Sequence, residues 1–323
     1  MPERAEIVLP ATGRFDLRAT VLAHGDPGLS PYRWRDGTRP ALERAEQLPD
    51  GSVHLLLIRP DPRGVVLRVT GTDAREIEVL APLAARVRRA LALDFDPSGF
   101  QQACAGDPLL QPVARLGLGR LLRGMTPFED AVRVLVWGDD APTDTARALA
   151  RVGSLGARCP AQPVLRAFPS AATLARFDVR RLRERTGLGR RAVWVHRLAR
   201  QVASGRRDLR AIESLSTRAA ARALEGVPGL EPAGVARLLL FLGHHDRPAL
   251  DRATRAAMRH ACGGNAASVD RWLRRWRSWR GLALWFGLWL QTPAAARLAA
   301  GPAGVRMATA RRPALPGRRV ARS

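Results

Sequence analysis

The first seventy or so residues place apolar side chains in short, strand-like runs. Val53-His54-Leu55-Leu56-Leu57-Ile58 and Val65-Val66-Leu67-Arg68-Val69-Thr70 flank Arg59-Pro60-Asp61-Pro62-Arg63-Gly64, a pattern that predicts two antiparallel strands joined by a loop. After Asp73 the period lengthens: Ile77, Leu80, Leu83, Ala84 and Val87 recur at three- and four-residue steps and predict a helix. From Thr126 onward the pattern is helical almost throughout, with helices predicted over 128–137, 143–152, 171–177, 179–184, 190–204, 217–225, 232–242, 252–261 and 268–290. Ser170 and Ser216 stand where N-caps belong, and Gly205 and Gly243 where helices should stop. The expected fold is mainly α, with a smaller antiparallel α+β part over residues 1–110, a helical part over 111–291, and a disordered basic tail over 292–323. The apolar run at 281–290 is half a membrane span and predicts a buried helix.

Composition sharpens this outline. Of 323 residues, 53 are basic and 29 acidic, for a formal charge of +24. The chain has no lysine, so every one of those bases is arginine, and chemistry that needs a lysine amine (a Schiff base, a P-loop) is excluded. Codon bias explains arginine in place of lysine, but not the excess of base over acid; an anionic partner does. From Arg271 to the end there are 12 arginines and no acid, half of the whole excess. Cys104, Cys159 and Cys262 are odd in number and widely spaced, which argues against a disulfide framework, a zinc site or a four-cysteine iron–sulfur cluster and suits a reducing cytoplasm. The first residues carry charge and lack an apolar core segment, so no signal peptide is expected. His244-His245-Asp246 lacks a spaced third ligand and reads as a polar loop.

The most informative stretch is Leu224-Glu225-Gly226-Val227-Pro228-Gly229-Leu230-Glu231-Pro232-Ala233-Gly234-Val235-Ala236, between two helical patterns. A tight turn at Gly229 followed by Pro232 in the first helical turn offers free backbone N–H groups, a sequence-blind grip for a phosphate. Asp251 follows 22 residues after Gly229, past one helix and a loop. Together these resemble the helix-hairpin-helix superfamily of base-excision DNA glycosylases, and within it the alkyladenine (3-methyladenine) branch. Other segments carry the same resemblance in the same order: Phe128-Glu129-Asp130-Ala131-Val132-Arg133, Phe168-Pro169-Ser170 with Leu174-Ala175, Gly187-Leu188-Gly189-Arg190-Arg191 with Gly205-Arg206-Arg207-Asp208-Leu209, and Trp276-Arg277-Ser278-Trp279-Arg280-Gly281.

The resemblance implies an all-helical glycosylase core beside a small β-sheet domain, and duplex DNA with a damaged base as partner. It assigns Asp251 as the carboxylate beneath the sugar of an extruded nucleotide, and Gly226, Val227, Gly229, Leu230, Glu231 and Gly234 as the hairpin on the DNA backbone. The carbonyls of Glu225, Val227 and Leu230 become a candidate seat for a structural monovalent cation; no other cofactor is expected. Gly138, Asp139 and Asp140 would form the wedge loop, and Trp137, Trp279, Trp285, Phe286 and Trp289 the candidate base pocket. Two departures stand out: Glu231 replaces the second hairpin glycine, putting a carboxylate beside the expected phosphate, and Asp139 and Asp140 replace amides at the wedge. Where bifunctional relatives carry a lyase lysine, this chain has Ala233.

The expectation is a monomeric, cytoplasmic (in a bacterium, nucleoid-associated), monofunctional DNA glycosylase acting on an alkylated purine. The alternative is a catalytically impaired relative that binds DNA non-specifically through its arginines. A helical protein–protein scaffold is the remaining alternative and requires the basic charge to be incidental. The arginine clusters at 180–191 and 271–280 are candidate DNA-facing surfaces.

Overall fold

The computed structural model describes residues 2–24, 30–137 and 142–299. Five antiparallel strands open the chain: β1 (Glu3–Pro10), β2 (Arg33–Arg35), β3 (Ala41–Gln47), β4 (Val53–Asp61) and β5 (Gly64–Gly71), in the spatial order β1-β5-β4-β3-β2. The loop predicted between β4 and β5 is shorter than expected. Pairing runs on through Arg59↔Val66 and Pro60↔Val65 to Asp61↔Gly64, leaving Pro62 and Arg63 as the turn. Gly64 has φ +156, and a Cβ there would come within 2.3 Å of the Leu9 carbonyl, so the turn admits glycine alone. Alternation sends Leu56, Ile58, Leu67 and Val69 inward, where the helix Ile77–Ala90 covers them with Leu83 and Val87.

The rest of the described structure is mainly helical and, besides a small cluster joining Ala45 on β3 to Cys159, Leu165 and Ala167, is held by two large hydrophobic clusters. One joins the helices Pro127–Val136, Arg191–Ala203, Thr217–Glu225 and Pro232–Phe241. The other joins Phe100, Cys104 and Leu110 to Trp272, Trp276, Leu282 and Phe286, so residues on both sides of position 110 share one core. The short helix Leu17–Leu22 divides its side chains between this cluster and the sheet's.

Most predicted helices form, with ends shifted by a residue or two. Ser170 and Ser216 accept hydrogen bonds from the N–H groups of Thr173 and Ala219, and Gly205 and Gly243 take positive φ at the stops. Two expectations are corrected. The helix expected over 268–290 is three pieces: Ala266–Arg275, a 3-10 turn Arg277–Trp279, and Arg280–Trp289. The break is local: Arg277 sits at φ +42, and Gly281 presses on the loop before it, donating its N–H to His245 O at 2.7 Å. The tail expected to be disordered from 292 begins with a helix, Pro293–Ala299, because Ala295 and Leu298 bury against the second cluster. Residues 300–323 lie outside the described residues.

A buried ionic cluster ties the sheet to the helical part. Arg44 on β3 is fully buried and makes a two-pronged hydrogen bond to Glu129, at 2.9 and 2.7 Å, and a further one to Glu46 at 2.9 Å. Burial alone would raise the Glu129 carboxyl; the Arg44 and Arg133 guanidinium groups outweigh it and hold that carboxyl below its ordinary value.

Candidate functional site

Gly229 turns the hairpin in the left-handed region at φ +87. A Cβ added there would lie 2.3 Å from the indole of Trp194, whose helix, Arg191–Ala203, thus braces the turn from behind. The N–H of Leu230 closes the turn on the carbonyl of Val227 at 3.2 Å, and Val227 itself is buried. Glu231 is the N-cap residue of Pro232–Phe241, but its exposed side chain makes no capping hydrogen bond. The amides of Ala233 and Gly234 in the first turn have no partner within the helix and leave its positive end open. Gly226 ends the preceding helix at φ −82, an ordinary right-handed value, and Gly234 has van der Waals room for a Cβ. Arg207 donates to the carbonyls of Ala223 at 2.8 Å and Gly226 at 3.5 Å. Arg207 thus engages two carbonyls next to the candidate cation seat, while the Val227 carbonyl of that seat accepts from the Leu230 N–H. Among the described residues no group of three or more His, Cys, Asp or Glu is placed to hold a metal ion, and no helix is long and apolar enough to cross a membrane.

Asp251 opens the helix Arg252–Ala261 as its N-cap. Its Oδ1 accepts from the Thr254 N–H at 2.7 Å and lies 2.9 Å from the Thr254 hydroxyl, whose oxygen accepts in return from the Asp251 N–H. Its Oδ2 faces Nη2 of Arg237 at 3.4 Å. Partial burial pushes this carboxyl up, but the hydrogen bonds from Thr254 and the Arg237 charge prevail and hold it below its ordinary value. The side chain stays 34% exposed, open to solvent or to a ligand.

Thr254 and Arg237, the two partners of Asp251, line a cavity of about 370 Å³. Trp137, Trp285 and Trp289 form part of its wall. Trp137 and Trp285 meet edge to face at 6.0 Å, and Phe241 meets Trp285 likewise at 5.5 Å. Two indoles are locked in place: Nε1 of Trp285 donates to Ala23 O at 3.0 Å and Nε1 of Trp289 to Leu22 O at 2.8 Å. Trp279 and Phe286 are not in this wall, which corrects the expectation. Phe286 is fully buried against Phe100, and Trp279 packs among Phe95, Phe100 and His245. At about 100° per residue, Trp279 and Trp285 would face about 120° apart even on an unbroken helix, and Phe286 points about 100° away from Trp285 on their shared helix. Gly138, Asp139 and Asp140 lie outside the described residues.

The structure adds residues that the sequence did not single out. Arg237 lies over the Trp137 ring at 5.0 Å. Arg133, three percent exposed, turns into the cavity with no hydrogen-bond partner on any guanidinium nitrogen among the described residues; its one ion pair, to Glu129, is at 3.6 Å. His24 Nδ1 and Thr145 Oγ1 are likewise buried there with no hydrogen-bond partner among the described residues. Arg237 was findable by helical spacing, since it shares a face with Gly234 and Phe241; His24, over two hundred residues away in sequence, had no such signal.

No protein-family model and no curated protein matches the sequence. Solved structures do match. A 3-methyladenine DNA glycosylase from Archaeoglobus fulgidus superposes with a TM-score of 0.68 at 19% identity, covering 89% of this chain and 98% of its own. An 8-oxoguanine glycosylase/lyase from Clostridium acetobutylicum superposes with a TM-score of 0.58 at 16% identity, covering 81% and 99%. The latter has also been solved with double-stranded DNA containing cytosine opposite 8-oxoguanine. At these identities the likeness establishes the fold: this chain has the helix-hairpin-helix glycosylase architecture, a helical body with a small antiparallel sheet.

Proposed function

We propose that this protein is a DNA glycosylase that hydrolyses the N-glycosidic bond of a damaged nucleotide swung out of the duplex. The observation that carries the reading is Asp251: an ionised, part-exposed carboxylate held beside an aromatic cavity of about 370 Å³ by Thr254 and Arg237, and following the hairpin. As the bond to the base stretches, positive charge develops at the anomeric carbon. A fixed carboxylate beneath the sugar stabilises that charge and orients the attacking water. The indoles of Trp137 and Trp285 offer faces on which an extruded base stacks. The hairpin amides and the open end of Pro232–Phe241 hold the backbone, with Arg207 bound to the carbonyls of Ala223 and Gly226 behind the turn. With no lysine in the chain, a lysine-dependent lyase step has no nucleophile, and the product is an abasic site.

Asp251→Asn separates this reading from a DNA-binding relative without activity. Asparagine still accepts at an N-cap, so the helix survives while the charge is lost. Base release from lesion-bearing duplexes, read as alkali-labile strand breaks, falls by about a hundredfold or more, with duplex affinity kept. Undiminished release by the variant removes Asp251 from the reaction. Wild-type protein that breaks no lesion duplex yet binds DNA in a steeply salt-dependent way is the inactive binder.

A further inference from the structure

One side chain stands where an extruded nucleotide has to go. Arg237, on the helix Pro232–Phe241, holds its guanidinium carbon 5.0 Å over the ring of Trp137 and its Nη2 3.4 Å from Oδ2 of Asp251. A base stacked on that face of Trp137, with its sugar over the carboxylate, needs the space the guanidinium fills. The charges conflict as well, because a guanidinium beside Asp251 opposes the positive charge that grows at the anomeric carbon. The two oxygens of Asp251 are held unequally. Oδ1 accepts from the Thr254 N–H at 2.7 Å, whereas the contact of Oδ2 with Arg237, at 3.4 Å, is long against the ~2.8 Å of a charge-assisted hydrogen bond. Departure of Arg237 therefore leaves the carboxylate aimed by Thr254 and uncovers its other oxygen. Of the other described ionisable groups on the cavity wall, Arg133 is tied to Glu129 at 3.6 Å and lies over the Tyr32 ring, and His24, lowered to about 3 by burial and then by Arg133, is neutral.

We propose that Arg237 is a positioning residue that plugs the empty cavity and changes partner when a nucleotide enters, leaving Asp251 and Trp137 for a phosphate that flanks the extruded nucleotide. The destination follows from the helix. Arg237 lies about one turn past Ala233 and Gly234, whose open amides face the DNA backbone in the reading above, and it shares a face with Gly234. Its planar fork matches two phosphate oxygens, and its long stem lets the head move while the helix stays in place. Charge stays paired throughout: the guanidinium passes from a carboxylate to a phosphate, and the carboxylate from a guanidinium to the developing cation. Asp251 is thereby bared only when a sugar lies above it. The assignment rests on the glycosylase reading for the presence of an extruded nucleotide, and separate measurements test the two.

Binding is measured first, with the full-length protein and duplexes carrying a tetrahydrofuran abasic nucleotide, in which each flanking phosphate is replaced in turn by an uncharged methylphosphonate. In the wild type one of these replacements should weaken binding by about tenfold, and in Arg237→Gln the same replacement should cost less than about twofold. Each protein is its own reference, so a general loss of affinity in the variant does not enter the comparison. Equal losses in the two proteins at both phosphates overturn the proposal. Single-turnover base release from 7-methylguanine and hypoxanthine duplexes, corrected for spontaneous loss, is then followed against pH at limiting and at saturating protein, which report the free and the bound protein. Arg237 faces Asp251 only in the free protein, so the wild-type acid limb at limiting protein should lie about one pH unit below that at saturating protein. Arg237→Gln should close that gap by raising the lower limb alone. A methylphosphonate effect that depends on Arg237, in a protein that releases neither base, upholds the change of partner and removes the glycosylase reading. Release with coincident wild-type limbs, or with a gap that Arg237→Gln leaves unchanged, upholds the glycosylase and removes the proposal.

Discussion

Asp251 uses its two oxygens for different purposes: Oδ1 fixes the start of a helix through Thr254, and Oδ2 answers the charge of Arg237. Because the net effect lowers its pKa, the ionised form persists as the medium is acidified. The rate of base release should therefore hold from neutral pH down to about pH 4 and be lost only below it, where the carboxyl takes up a proton. Single-turnover rates with a circular-dichroism check of folding at each pH would show this. A fall centred near pH 6 with the fold intact would assign the rate to some other group. Asp251 was legible in the sequence because its distance from Gly229 is a spacing, and spacing survives in one dimension. Arg237 was placed by spacing on the hairpin face of its helix, but in a chain whose bases are all arginine its letter gave no further contrast; its neighbours Trp137 and Asp251 are what distinguish it.

The elements were read with unequal success, for physical reasons. Strands β4 and β5 show in the alternation of buried and exposed positions, and Thr217–Glu225 and Arg252–Ala261 show in their caps and period. The helices Ser98–Ala105 and Gln111–Arg115 went unpredicted: each starts without a side-chain cap and is too short to establish a period. The stretch 266–290 misled in the opposite way, because its apolar spacing continues across a break that only Arg277 marks. Arginine in the left-handed region stores strain that glycine would not. Arg277→Gly should therefore raise stability, by about 0.5–1 kcal/mol, read from urea unfolding. A loss of stability would show that the exposed Arg277 side chain contributes more than its backbone costs.

In the molecule as a whole, like and unlike charges are sorted by depth. The arginines at 180–185 and 271–277 are largely exposed, whereas Arg44, Glu129, Asp130 and Arg133 lie at the junction between sheet and helices. Removing one member of such a buried set strands its partners. Glu129→Gln should cost about 3–5 kcal/mol in chemical denaturation, against near-neutral effects at the exposed Arg180–Glu184 pair. With a depressed pKa, Glu129 contributes stability above the ordinary carboxylate range that is lost as pH falls through its folded value, so the difference between wild type and variant should shrink in acid. The two indole hydrogen bonds at the cavity wall reach further than their number suggests. Trp285 and Trp289, near the end of the helical part, rest on the carbonyls of Ala23 and Leu22, near the beginning of the chain. A fragment cut near residue 110 would keep the hairpin and Asp251 but lose the support of its own pocket. The half that carries the hairpin and Asp251 therefore cannot be expressed alone with its pocket intact, nor transplanted as a cassette, without the first strands and helix travelling with it.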